Sequence, residues 1–234
     1  MEMSQKEEKE KLAIITAFMG YTLENDHYPK SVYKFCKVNK IEEKTFYKFF
    51  GSLGGVKETI WETFYENAMS LLEKDENFEM AKPKEKLLSF YFTFFEVLLL
   101  NRSYVLFSLS GAEKIMTKMG QLSCLRKIFK GFATELIEDG NVDKPSYLQH
   151  PPKIFSEAAW VQLGFLIKFW IEDSSADFEK TDQAIEKSVQ TAFDVFDNTP
   201  LSALVDFGKF LWKEKFGSLE ITGLYPNQQN RAGG

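Results

Sequence analysis

Apolar residues recur at three- and four-residue spacing through most of this chain, and the runs that carry the pattern are long. Leu12, Ile15, Phe18, Met19 and Leu23 form one such run, and the segments 83–101 and 152–171 are others. An α-helix gathers side chains so spaced onto one stripe, which must then be buried. Strand-rich folds need turn residues roughly every ten positions. The 14 Gly and 7 Pro of these 234 residues instead leave long stretches unpunctuated. The expected fold class is all-α.

The spacing predicts a helix over 6–24, stopped by Asn25, Asp26 and Pro29, then short helices over 31–38 and 42–50. Gly51, Gly54 and Gly55 close this small unit. Longer helices are expected over 56–74, 83–101, 104–118 and 122–138, with Gly140 and Pro145 marking a loop. Pro151 and Pro152 open a helix that runs to 171, followed by helices over 178–196 and 201–216. The total is about ten helices. The chain divides into a unit over 1–52, a larger helical domain over 53–217 and a polar tail over 218–234.

The apolar run over 90–100 is broken by Thr93 and Glu96 and is shorter than the roughly 20 residues that cross a bilayer, so no membrane span is expected. Residues 1–11 alternate in charge and lack the basic-then-apolar order of a secretory signal, which favours a cytoplasmic location. Cys36 and Cys124 are far apart and form no CxxC, as fits two reduced thiols. The chain has no GxGxxG, Walker loop, HExxH or GxSxG, and its two histidines, His27 and His150, fall in predicted loops. No cofactor, metal site or catalytic residue is expected, and the chain reads as a non-enzyme.

Charge singles out the first unit. Residues 29–50 carry Lys30, Lys34, Lys37, Lys40, Lys44 and Lys48 against Glu42 and Glu43, a local balance of +4 in a chain of net charge -5. Lys30, Lys34 and Lys37 share one face of the second helix, and Lys40, Lys44 and Lys48 follow a four-residue ladder. Two short helices joined by a tight turn and braced by a longer one are the parts of a helix-turn-helix, and lysines on such a unit suit the phosphates of a duplex. A solvated lysine-rich face fits the same residues.

The segment from Ser31-Val32-Tyr33-Lys34-Phe35-Cys36 to Ile41-Glu42-Glu43-Lys44-Thr45-Phe46-Tyr47-Lys48-Phe49-Phe50 resembles the helix-turn-helix of TetR-family regulators. Thr45-Phe46-Tyr47-x-x-Phe50 is similar to that family's T-[LF]-Y-x-[YH]-F recognition helix, and Ser31-Val32 to its Thr-Val start of the second helix. The resemblance implies a helix-turn-helix DNA-binding unit, a long linking helix, and a divergent helical domain that holds a small molecule and pairs through its last two helices. It also implies double-stranded DNA as partner, with Lys30, Ser31, Lys34, Lys40, Lys44, Thr45, Tyr47 and Lys48 facing it.

The chain departs from the family pattern in three places. Lys40 stands where the family usually has a turn glycine, which costs roughly 1 kcal/mol where φ is positive. Glu42 replaces the usual capping serine and, with Glu43, puts two carboxylates at the end of the helix that approaches DNA. A carboxylate can accept a hydrogen bond from a cytosine amino group. Ser52-Leu53-Gly54-Gly55 supplies no lysine where the family commonly has Ser-Lys-Glu. These departures sustain an alternative reading: a TetR-fold binding protein for lipid or quinone-like molecules that does not bind DNA.

The larger domain is rich in rings: Tyr91, Phe92, Phe94, Phe95, Tyr104 and Phe107, then Phe155, Trp160, Phe165, Phe169 and Trp170. Taken singly, each reads as core or dimer seam. As a set they permit an apolar pocket, with Tyr91, Phe94 and Phe95 facing Trp160, Phe165 and Phe169. Lys168 is the only cation over 155–171, so the expected ligand is a small hydrophobic or aromatic molecule with little charge. Ile185, Val189, Phe193 and Phe196, then Leu204, Phe207, Leu211 and Trp212, suit a four-helix homodimer interface between Phe178 and Phe216. The stretch from Trp170 to Thr181 is similar to a W-x-x-D-x-S-x-D-F-x-x-T element of some TetR-like carboxy-terminal domains. It reads as a helix stop and restart, with Ser175 or Asp177 as cap and Glu179 near the first turn.

Overall fold

Ser4 opens the first helix, α1 (Gln5–Asn25), through a reciprocal cap: its hydroxyl accepts from the Glu7 backbone N–H, and the Glu7 carboxylate accepts from the Ser4 N–H at 3.0 Å. The helix ends at Asp26, whose φ of 55° turns the chain away. Ser31 caps α2 (Val32–Asn39) by accepting from the Lys34 N–H, and α3 (Glu43–Phe49) follows after a short turn. Phe18 of α1, Phe35 of α2 and Phe46 of α3 are buried and meet edge to face, with ring centroids 5.8 and 6.1 Å apart. One long helix and two short ones thus share one small aromatic core.

The structure is a computed structural model that describes residues 4–109, 122–142, 144 and 149–198. Among these residues it has ten α-helices and no strand, as the all-α expectation requires. Ser52 caps α4 (Leu53–Leu72), so Gly54 and Gly55 lie in its first turn and the helix begins three residues before the expected 56. A short α5 (Glu76–Met80) has no counterpart in the predicted set. Next come α6 (Pro83–Leu100) and α7 (Arg102–Leu109), which meet at Asn101 with a bend of 91°. Then come α8 (Ser123–Asn141), α9 (Pro152–Glu172), a 3₁₀ turn (Ala176–Phe178) and α10 (Glu179–Asn198). Gly140 lies inside α8, not in a loop. The helix expected over 201–216, the tail over 218–234, Pro145 and the later part of 104–118 lie outside the described residues.

Helices α4, α6, α8 and α9 pack on one another to make the body. Trp61, Phe64, Phe90, Phe94, Phe129, Leu136, Leu163 and Trp170 fill it, each buried. A fully buried side chain of this size contributes about 1.5 to 3 kcal/mol. Helix α9 is, among the described residues, the one helix long and apolar enough to cross a membrane, which the run over 90–100 did not foreshadow. Its Phe155, Trp160, Leu163, Ile167 and Trp170 are nevertheless buried among neighbouring helices. The chain divides into two units, 1–191 and 192–234.

Candidate nucleic-acid interface and aromatic core

Helix α3 is seven residues long and sorts its side chains by angle. At about 100° per residue, Phe46 and Phe50 turn inward with Thr45 and Phe49 half-buried, while Glu43, Lys44, Tyr47 and Lys48 turn to solvent. Thr45 lines a cleft of about 390 Å³ between α1 and the turn, beside Ala13, Ile14 and Ile41, so it faces α1 more than the open surface. Lys30, Lys34, Lys37, Lys40, Lys44 and Lys48 are all exposed, and Ser31 is occupied in capping α2. Tyr33 and Tyr47 are exposed too, at 58% and 54%, which sets two aromatic rings among the lysines.

Lys48 differs from the other lysines. Its Nζ lies 3.0 Å from a Glu7 carboxylate oxygen and 3.7 Å from one of Glu10, and the ammonium also sits over the Phe49 ring. The Ser4 backbone N–H and then Lys48 hold the Glu7 carboxyl down to about 2, and Glu7 raises Lys48 in return. Sequence reasoning placed Lys48 on DNA and missed Glu7 and Glu10, because nothing in local spacing brings α1 to the end of α3.

The turn carries the strain its sequence implied. Lys40 adopts φ 54° and ψ 38°, the left-handed conformation that glycine takes most easily. Asn39 stays helical and donates its side-chain amide to the Phe35 carbonyl at 2.9 Å. Glu42 occupies the capping position of α3 without a side-chain cap hydrogen bond.

The aromatic set expected to line a pocket is divided. Tyr91, Phe94, Phe95 and Trp160 are buried in continuous ring contact: Phe90 on Phe94 at 5.4 Å, Tyr91 on Phe129 at 6.0 Å and Phe129 on Trp160 at 6.3 Å. Phe165 is 56% exposed and pairs only with half-buried Phe169 among the described rings. Five residues carry Phe165 about 140° round the helix from Trp160, so the two cannot share a face. Tyr91 donates its hydroxyl to the Ala159 carbonyl and to Gln162 Oε1, at 3.2 and 3.1 Å. Trp160, 3% exposed, has a buried indole N–H with no hydrogen-bond partner among the described residues.

The Trp170 to Thr181 element is a corner built on Asp173. One carboxylate oxygen accepts from the Ser175 N–H and hydroxyl at 2.8 and 2.7 Å, and the other from the Thr181 N–H and hydroxyl at 3.0 and 2.7 Å. Those four donors, the Thr181 hydroxyl foremost, hold the carboxyl well below the usual range. Ser175 accepts from the Lys180 N–H, whereas Asp177 is exposed at φ 50°, so of the two expected caps only Ser175 serves. The Arg102 guanidinium sits over both the Trp170 and Phe178 rings, 4.3 and 4.4 Å from their centroids, and those rings also meet each other at 5.9 Å. In α10, Ile185 and Val189 are buried and Phe193 is half-buried; nothing is described of the Phe196 side chain or of Leu204, Phe207, Leu211 and Trp212.

Two junctions tie the small unit to the body. Lys57 of α4 sits 3.5 Å from the Tyr28 ring centroid, and Tyr28 packs edge to face on Phe107 of α7 at 5.2 Å. Among the described residues, no three His, Cys, Asp or Glu side chains come together as a metal site.

Residues 86–211 match the family model described as the tetracyclin repressor-like C-terminal domain. No curated protein matches the chain. Among solved structures, a TetR-family transcriptional regulator from Syntrophomonas wolfei is similar with a TM-score of 0.63 and 15% identity, covering 83% of this chain and 98% of its own. The fatty acid degradation regulator FadR from Bacillus halodurans follows with a TM-score of 0.51 and 13% identity, over 81% of this chain and 96% of its own. At such identities the likeness is one of fold.

Proposed function

Because this chain belongs to the tetracyclin repressor-like, or TetR, family, we propose that it is a cytoplasmic, non-enzymatic repressor that binds operator DNA as a dimer and releases it on binding a small apolar ligand. The observation that carries the reading is the outer surface of the helix-turn-helix: four lysines, Lys30, Lys34, Lys40 and Lys44, stand exposed beside Tyr47 with no ion pair to hold their ammonium groups within the described residues. Lys30 and Lys34 meet phosphates, while Lys44 and Tyr47 reach base edges. Lys48 joins them only by leaving Glu7 and Glu10, a small cost because exposed ion pairs contribute about 0 to 1 kcal/mol. Two copies present their α3 helices to half-sites about one helical turn apart.

The ligand reading draws on the ring cluster around Tyr91, Phe94, Phe95 and Trp160. Its rings suit an apolar molecule, and the Trp160 N–H, without a partner among the described residues, suits one that carries an acceptor oxygen. Tyr28, set between α4 and α7, offers a route by which a change in the body shifts the small unit. The dimer is assigned to 178–216, where Ile185 and Val189 of α10 already pack within one chain and leave the contact to other residues of that span. The exposed Val161 and Phe165 on α9 extend the apolar surface available to a partner copy.

The experiment is retention of genomic fragments on the full-length protein at low salt, with sedimentation to give the oligomeric state. Recovery of one or a few sequences by a dimer is the expected result. No retained fragment would end the repressor reading and select the alternative, a TetR-fold lipid or quinone-like binding protein. Strained Lys40, uncapped Glu42 and the carboxylate of Glu43 favour that alternative.

A further inference from the structure

We infer that Glu43 is a specificity-determining residue that selects a cytosine in each operator half-site. The inference rests on the reading that the helix-turn-helix binds DNA and goes beyond it by naming what one side chain reads. Glu43 is the first residue of α3, and in helix-turn-helix units the amino-terminal residues of the recognition helix contact base edges. Its carboxylate is exposed, with no hydrogen bond or ion pair among the described residues. The exposed arc of α3 runs from Glu43 through Tyr47 and Lys44 to Lys48, and its Lys48 rim is tied back to α1 by Glu7 and Glu10. Base reading therefore falls to the rim that begins at Glu43.

The chemistry narrows the base. An ionised carboxylate only accepts hydrogen bonds, and entering the groove costs it water and exposes it to the phosphates' charge. It is tolerated only where a donor meets it. In the major groove the donors are the amino groups of cytosine and adenine, and adenine sets its N7 acceptor beside the amino group, against the carboxylate. Guanine and thymine present acceptor oxygens, which repel it. Cytosine alone offers its amino donor with no acceptor on its own major-groove edge.

The test is selection from a randomised duplex library by the full-length protein, its Glu43→Gln variant and its Glu42→Gln variant, at one fixed salt concentration. We expect a cytosine at one position of each half-site, preferred about ten- to a hundredfold. In Glu43→Gln that preference is lost or moves to adenine, whose N6 and N7 match an amide. The other positions are unchanged, and Glu42→Gln leaves the profile intact. Because Glu43 is exposed, the variant keeps its fold, which its thermal unfolding would verify. An identical sequence profile for the protein and Glu43→Gln overturns the inference while leaving DNA binding in place. Failure of the unaltered protein to enrich any sequence overturns both.

Discussion

Helix α2 buries only Phe35 and Cys36 and turns Tyr33, Lys34 and Lys37 outward, whereas α6 buries Leu87, Phe90, Tyr91, Phe94, Phe95, Val97 and Leu98. Both helices rely on phenylalanine. In the small unit one or two rings per helix suffice to close a three-helix core, so most of each surface stays free for polar work. In α6 nearly every turn is given over to packing, which leaves little of its surface free. A narrow apolar stripe leaves a helix able to recognise something outside the chain, while a broad one binds it to its neighbours.

Substitutions sharpen that contrast, beginning with the largest effect. Trp160→Ala or Phe94→Ala should cost about 3 to 5 kcal/mol in thermal or denaturant unfolding. Tyr47→Ala, at an exposed site, should stay within about 0.5 kcal/mol while weakening retention of DNA. Comparable losses of stability from both would show that packing holds the small unit's surface no less firmly than the body's core.

The corner at Asp173 comes next. Its carboxyl is depressed in the folded chain, so the stabilisation is fully present above the ordinary value of 3.8 and fades as the pH falls below it. Asp173→Ala should therefore melt lower than the unaltered protein at neutral pH, and the gap should close in acid. A gap that persists at low pH would mean the corner is held by the Arg102 stacking and not by the four hydrogen bonds.

Lys40→Gly should raise stability by about 1 kcal/mol through relief of the positive φ, while lowering the salt dependence of DNA binding by about one unit of slope. Stability unchanged with the slope reduced would show that the lysine costs the turn little. The smallest effect is expected at Glu7. Glu7→Gln should hardly move the melting temperature at neutral pH, because the ion pair is exposed, yet should free Lys48 and steepen the salt dependence. An unchanged slope would make Lys48 a brace between α1 and α3 and no phosphate contact.

What could be read in the sequence was local. The order of the longer helices, the strain at Lys40 and the poor cap at Glu42 all depend on residues within a turn of one another. Helical periodicity and backbone preference act over that range, while the short pattern around Thr45-Phe46-Tyr47 pointed to the unit through its resemblance to the TetR family. Other features required distant segments to meet. The pairing of Lys48 with Glu7 and Glu10 joins the start of α1 to the end of α3. The placing of Tyr28 between Lys57 and Phe107 spans more of the chain. Likewise, the separation of Trp160 from Phe165 turned on which side of α9 meets its neighbours, which a helix apolar on nearly every side does not reveal. Periodicity determines that a stripe is buried; only the packed neighbours decide which ring lies in the core and which faces out.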